Sequence, residues 1–185
     1  MKINQVGEAW REYYLGETTT WCDPDRIDSA FFTRHAQSEW ITKMLKYTHV
    51  QPVPDTRVLE AGCGTAQYAL MLALMGCAVD AFDYSEEALR FARKLEAKAR
   101  QINPNLIFNL TLGNLLEIQS ADNVYNLVFN QGVIDYFTSA EERSQALREM
   151  MRVAKPGGWV AVIAQHTGHP FRRWWERWGW EGYTH

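Results

Sequence analysis

Val58-Leu59-Glu60-Ala61-Gly62-Cys63-Gly64-Thr65-Ala66 decides how the rest of this chain is read. The run predicts a short buried strand, a glycine-rich turn and the start of a helix. Two glycines let the main chain approach a ligand that a Cβ would push away. The helix start supplies unpaired N–H groups. Asp83 follows nineteen positions after Gly64, at the end of a second apolar run, Ala78-Val79-Asp80-Ala81-Phe82-Asp83. An acid in that place can hold a ribose diol. The pattern points to a nucleoside-cofactor site and leaves the cofactor open.

Outward from this stretch, apolar runs and helical patterns alternate. A helix follows the loop, Tyr68-Ala69-Leu70-Met71-Leu72-Ala73-Leu74-Met75, apolar on all sides and therefore buried. Gly76 can cap its end. After the second strand, Ser85 is placed to cap a helix to about residue 100, with Ala88, Phe91, Ala92, Leu95 and Ala99 on one face. Residues 106–112 and 124–130 read as strands three and four. Ser139-Ala140-Glu141-Glu142 has the spacing of a capping box and opens a helix. Lys155-Pro156-Gly157-Gly158 stops that helix, and residues 159–165 form strand five. Upstream, a helix over 37–47 is expected. Strands alternating with helices of ten or more residues imply a doubly wound, mostly parallel sheet of about five strands, an α/β fold. In such sheets ligands bind beyond the carboxyl ends of the strands. The glycine loop, Asp83, Asn114 and Asn130-Gln131 all fall on that edge.

At 185 residues with 46% apolar composition, the chain suffices for one ordinary core. A net charge of −3 gives no footprint for a phosphate backbone, so no nucleic-acid partner is expected. Cys22, Cys63 and Cys77 show neither CxxC nor metal spacing. No metal is predicted, and the odd cysteine count suits a reducing compartment. The N-terminus lacks the apolar core of a signal peptide, and no apolar run reaches the ~20 residues of a membrane span. A cytoplasmic location and no membrane partner are expected.

A dinucleotide fingerprint wants Gly-x-Gly-x-x-Gly, and here Gln67 stands where the last glycine belongs. Glu60, just before the loop, adds a negative charge where a pyrophosphate would lie. A cationic cofactor suits that acid better. S-adenosylmethionine carries an α-ammonium and a sulfonium and no phosphate.

The chain resembles the class I S-adenosylmethionine-dependent methyltransferases. The resemblance rests on residues 60–66, on Asp83-Tyr84-Ser85, on Gly113-Asn114-Leu115-Leu116, on residues 126–134 and on residues 152–158, and covers roughly 55–165. It implies a Rossmann-like fold. It implies that Gly62, Cys63 and Gly64 line the methionine part of the cofactor, while Glu60 orients the loop and favours the ammonium. Asp83 is to accept from both ribose hydroxyls, and Tyr84 to stack near adenine. Asn114 is to meet the adenine amino group, with Leu115 offering its N–H. Asn130 and Gln131 lie near the methionine moiety. Two positions depart from the family pattern. Ala66 replaces a third glycine, a small change at a helix-packing position. Asn114 stands where aspartate is frequent, and its side-chain carbonyl can still accept. For each acid and polar residue a purely structural role stays open: Glu60 bracing the loop, Asp83 capping a helix, Asn114 shaping a turn, Tyr84 as a surface aromatic.

Methyl transfer from a sulfonium needs chiefly a well-placed acceptor, with a base only where the acceptor must lose a proton. Candidates at the right edge are Asp135 and His166, with Tyr136 and His35 behind them. Residues 1–47 are expected to form a helical lid and acceptor-binding segment, and 48–185 the cofactor-binding domain. Tyr13, Tyr14, Trp21 and Phe31 either face an apolar small-molecule acceptor or form lid core. Arg34 either pairs with the methionine carboxylate or lies on the surface. Phe171, Trp174, Trp175 and Trp178 make one stripe of a C-terminal helix, for the sheet, for a partner or for a membrane surface. The family's closing β-hairpin is not found in this sequence, which predicts an open edge at strand five and a possible homodimer. Two further functions stay open: a non-catalytic S-adenosylmethionine-binding module that needs a partner chain, and an NAD-type oxidoreductase.

Overall fold

The computed structural model describes residues 31, 32 and 39–164. In chain order these form α1 (Glu39–Thr48), β1 (Arg57–Ala61), α2 (Gln67–Leu74), β2 (Ala78–Asp83), α3 (Glu86–Ile102), β3 (Phe108–Leu112) and β4 (Tyr125–Gln131). A 3-10 turn (Ile134–Tyr136), α4 (Ala140–Val153) and β5 (Ala154–Ile163) follow. The five strands make one sheet in the order β3-β2-β1-β4-β5, every pair parallel. The α/β expectation therefore holds. The order reverses between β1 and β4, and in open parallel sheets such a switch point opens a crevice at the carboxyl edge.

Alternation along each strand divides the core. Val58, Leu127 and Phe129 face α1, α2 and α3, among Ile41, Leu70, Leu72, Leu89 and Leu95. Leu59, Val128 and Phe82 face the other way, against Leu115, Ile118, Ile134 and Met150 of the loops and α4. Each such buried side chain contributes roughly 1.5–3 kcal/mol relative to exposure. Helix α2 is buried from Ala69 to Ala73, as its all-apolar sequence requires. Ser85 Oγ accepts from Ala88 N, and Ser139 Oγ accepts from Glu141 N and Glu142 N, so both serine caps form. Among the described residues no helix is long and apolar enough to cross a membrane.

Strand five differs from expectation. It starts at Ala154, directly after α4, and absorbs the turn sequence as an irregularity between the pairs Tyr125↔Ala154 and Leu127↔Trp159. Gly158 permits this. A Cβ there would lie 2.9 Å from the Lys155 carbonyl oxygen and 3.0 Å from that of Tyr125. Helix α1 packs into the first face of the core, with Ile41 fully buried and the Trp40 ring 5.8 Å from that of Phe129.

Candidate cofactor site at the carboxyl edge

β1, β2 and β4 end side by side because their registers align, Glu60 beside both Ala81 and Phe129, and Ala61 beside Phe82. The chain leaves β1 into Gly62, whose φ is +80°. A Cβ on Gly62 would stand 2.5 Å from Val133 Cγ2. The loop after β4 therefore rests directly on the loop after β1, and the two line the switch-point crevice.

The loop's N–H groups have specific partners. Gly62 N and Cys63 N both donate to the Phe82 carbonyl, at 2.9 and 2.8 Å. Gly64 N donates to Asp83 Oδ2 at 2.7 Å. Ala66 N donates to the Cys63 carbonyl. The first turn of α2 gives the Ala69 N–H to Glu60 Oε2 at 2.9 Å. A phosphate-binding loop needs such donors free and convergent. Here the N–H groups of Gly62, Cys63, Gly64 and Ala69 are committed to Phe82 of β2 and to the Asp83 and Glu60 carboxylates. Ala66 takes left-handed backbone angles, φ 56° and ψ 24°, so the position demands left-handed backbone as well as a small side chain.

Both acids are perturbed. Burial raises the Glu60 carboxyl well above its usual range; the Ala69 N–H lowers it and the nearby Asp83 raises it further. Burial likewise raises Asp83, opposed by N–H groups of Ser85, Gly64 and Tyr84. Asp83 Oδ1 accepts from Ser85 N at 2.9 Å, so the acid shapes the loop and the start of α3 together. Each carboxylate oxygen keeps lone-pair capacity for a ribose hydroxyl. Burial, then the Asp83 and Glu60 charges, push the Cys63 thiol far up, which leaves it inert as a nucleophile.

Tyr84 is 49% exposed beside Asp83, a ring open to stacking. Asn114 Oδ1 accepts from Leu116 N at 2.9 Å, a turn-forming bond that leaves it one lone pair. Leu115 is buried, its side chain in the second core cluster. Asn130 is fully buried, and its Nδ2 makes a long contact with Met150 Sδ at 3.8 Å. Among the described residues its Oδ1 has no hydrogen-bond partner, and the same holds for Gln131 Oε1, Gln67 Oε1 and Trp40 Nε1. Buried polar atoms are rarely left so. Asn130 and Gln131 at the end of β4 and Gln67 at the start of α2 thus each keep a buried amide oxygen that can accept from a donor. In the sequence Gln67 reads only as the missing glycine of a dinucleotide fingerprint. A lone polar residue at the mouth of the apolar helix α2 was the available signal.

Asp135 lies exposed on the 3-10 turn after β4, at the same edge. Phe31, a candidate acceptor contact, is buried in the first core cluster, edge-on to Phe32 at 5.4 Å. His166, His35, Arg34, Tyr13, Tyr14, Trp21 and the tryptophan-rich tail lie outside the described residues.

Comparison with known proteins bears on the family and the fold. Demethylmenaquinone methyltransferase of Listeria monocytogenes is 35% identical over 147 residues, covering 75% of this chain and 56% of that protein. The chain thus spans about half the length of the curated relatives it matches. A protein of Pyrococcus horikoshii has a similar structure, with TM-score 0.62, 25% identity and coverage of 82% of this chain and 64% of that one. A SAM-dependent methyltransferase of Methanosarcina mazei has TM-score 0.54, 27% identity and coverage of 64% and 55%. The family described as "Methyltransferase domain" matches residues 59–162, more than half the chain and every element from β1 into β5. This chain therefore belongs to the methyltransferase-domain family, the class I S-adenosylmethionine-dependent group that its glycine loop resembles.

Proposed function

We propose that the protein binds S-adenosylmethionine at the β1/β4 crevice and transfers its methyl group to a small-molecule acceptor. One observation carries the reading: the glycine loop commits the N–H groups of Gly62, Cys63 and Gly64 to the Phe82 carbonyl and the Asp83 carboxylate. What it leaves toward the crevice is acidic and acceptor-rich, suited to an ammonium and a sulfonium. When bound, S-adenosylmethionine supplies a methyl group on sulfur that is already an activated leaving group.

The chain's own residues bind and orient. Asp83 takes the ribose hydroxyls on its remaining lone pairs, Tyr84 stacks on adenine, and Asn114 and the Leu115 N–H read its edge. Glu60, Asn130 and Gln131, with Gly62, Cys63 and Gly64, hold the methionine end. Residues 1–47 serve as the acceptor-binding segment, in which Trp40 Nε1–H has no partner among the described residues. Asp135 and His166 are the candidates to remove a proton from the acceptor. Relatives named for demethylmenaquinone support a small-molecule acceptor. The buried free thiols Cys63 and Cys77 suit a reducing, cytoplasmic setting. The half-exposed Trp159 on edge strand β5 supports a homodimer, and a clean monomer by sedimentation would remove that part.

Calorimetric titration of the 185-residue chain with S-adenosylhomocysteine and NADH, side by side, tests the cofactor. Binding of the first and no heat with the second is expected. Tight NADH binding without response to S-adenosylhomocysteine overturns the reading. If Asp135→Asn and His166→Ala both leave turnover unchanged, base catalysis by either is wrong.

A further inference from the structure

Helix α4 carries one polar stripe on its loop-facing side: Gln145, Glu149 and Arg152, at i, i+4 and i+7. All three reach the connection between β3 and β4. Gln145 Nε2 donates to the Leu116 carbonyl at 3.3 Å. Glu149 Oε2 accepts from Ile118 N at 2.8 Å. Arg152 Nη2 donates to the Ile118 carbonyl at 2.8 Å, and Nη1 to the Ser120 carbonyl at 2.8 Å and Asp122 Oδ1 at 2.7 Å. Ile118 is therefore held at both its N–H and its C=O, as a partner strand would hold it.

The stripe also borders an open concavity of about 590 Å³, lined by residues 116–121 with Gln145, Glu149 and Arg152. That hollow offers little to a ligand. The Arg152 guanidinium is occupied on Nε, Nη1 and Nη2, and both Glu149 oxygens face it, at 2.8 Å. The chemistry is spent on the loop itself. Directly upstream in that loop stand Asn114 and Leu115, pinned by the Asn114–Leu116 turn bond and by the buried Leu115 and Ile118 side chains. Among the described residues α4 supplies side-chain hydrogen bonds at three successive places along the loop (116, 118 and 120), and none of the three α4 residues belongs to the crevice.

We infer that Gln145, Glu149 and Arg152 are positioning residues: they hold the 114–120 loop so that Asn114 and Leu115 discriminate the base of the cofactor. This rests on the cofactor reading above. Loosening the stripe lets the loop shift, so recognition of the base edge weakens while the ribose and methionine contacts persist. Base selectivity, rather than affinity alone, is then the property that depends on α4.

The test measures dissociation constants of the full chain for S-adenosylhomocysteine and S-inosylhomocysteine, which differ at the 6-position of the base. Wild type should prefer the adenine compound. Glu149→Gln keeps an acceptor for Ile118 N but loses the ion pair, and Gln145→Ala removes one loop contact. Each should narrow the preference about five-fold, in line with other residues that act at a distance. Arg152→Lys should narrow it less than Arg152→Met. Folding is checked by the thermal transition of each variant. An unchanged preference in folded Glu149→Gln and Gln145→Ala overturns the inference while leaving the cofactor reading intact. Wild type that binds S-adenosylhomocysteine without preferring adenine does the same. Wild type that binds neither compound removes both.

Discussion

Glu60 Oε2 accepts the Ala69 N–H at 2.9 Å from inside the core, where Glu60 is 2% exposed. The acid at the end of β1 therefore caps the helix it does not belong to. A carboxylate at a helix start is favoured by the dipole, yet burial opposes its charge. The two effects conflict in the ligand-free protein, and under the proposed function the cofactor's ammonium would shift Glu60 toward the charged form.

That conflict has a sign. Burial raises the folded Glu60 carboxyl above its unfolded value, near 4.3 as a rough reference. The folded state thus holds the proton more tightly. Stability is full below the unfolded value and falls as pH rises through the raised one. Asp83 acts in the same direction. Glu60→Gln keeps an acceptor for Ala69 and removes the charge, so the ligand-free variant should show a flatter decline of Tm with rising pH. Its affinity for S-adenosylhomocysteine should drop about ten-fold, on the scale of one charged hydrogen bond. Tm across pH and calorimetry measure the two effects.

Asp83 braces two N–H groups, Gly64 at 2.7 Å and Ser85 at 2.9 Å. In Asp83→Asn the amide nitrogen must face one of these donors. The variant should lose about 1–3 kcal/mol of stability in chemical denaturation. Its affinity for S-adenosylhomocysteine should fall on the order of 100-fold, two charged hydrogen bonds to the ribose being weakened.

Gly62 and Val133 are sterically coupled, since a Cβ on the first would sit 2.5 Å from Cγ2 of the second. Gly62→Ala should destabilise by roughly 2 kcal/mol through the clash and the φ of +80° together. Adding Val133→Ala relieves the clash and leaves the backbone cost. A double-mutant cycle should therefore show favourable coupling, and additive effects would mean the two loops do not touch as described.

Ala66 holds left-handed angles while fully buried. Ala66→Gly relieves strain of about 1–2 kcal/mol and gives up a methyl contact and chain stiffness of similar size. Its stability should stay within about 1 kcal/mol of the parent. Ala66→Val, β-branched in the same backbone region, should cost well over ~2 kcal/mol or fail to fold. Denaturant midpoints of the pair decide.

The sequence by itself determined a mostly parallel sheet of about five strands, the burial of α2 and both serine caps. Those features follow from local periodicity and from cap chemistry within three or four residues. It also marked Glu60, Asp83 and the glycine loop, because strand ends and turns are punctuated by residue type. Only the tertiary structure decided where the loop's N–H groups go, since their partner, Phe82, comes from another strand brought alongside by sheet register. It alone showed that Asn114 spends one lone pair on its own turn, that Ala66 is left-handed, and that Arg152 reaches Ile118 across 34 positions. Long-range hydrogen bonds leave no periodic trace in a chain, because any polar residue on a helix face reads the same until its neighbour is in place.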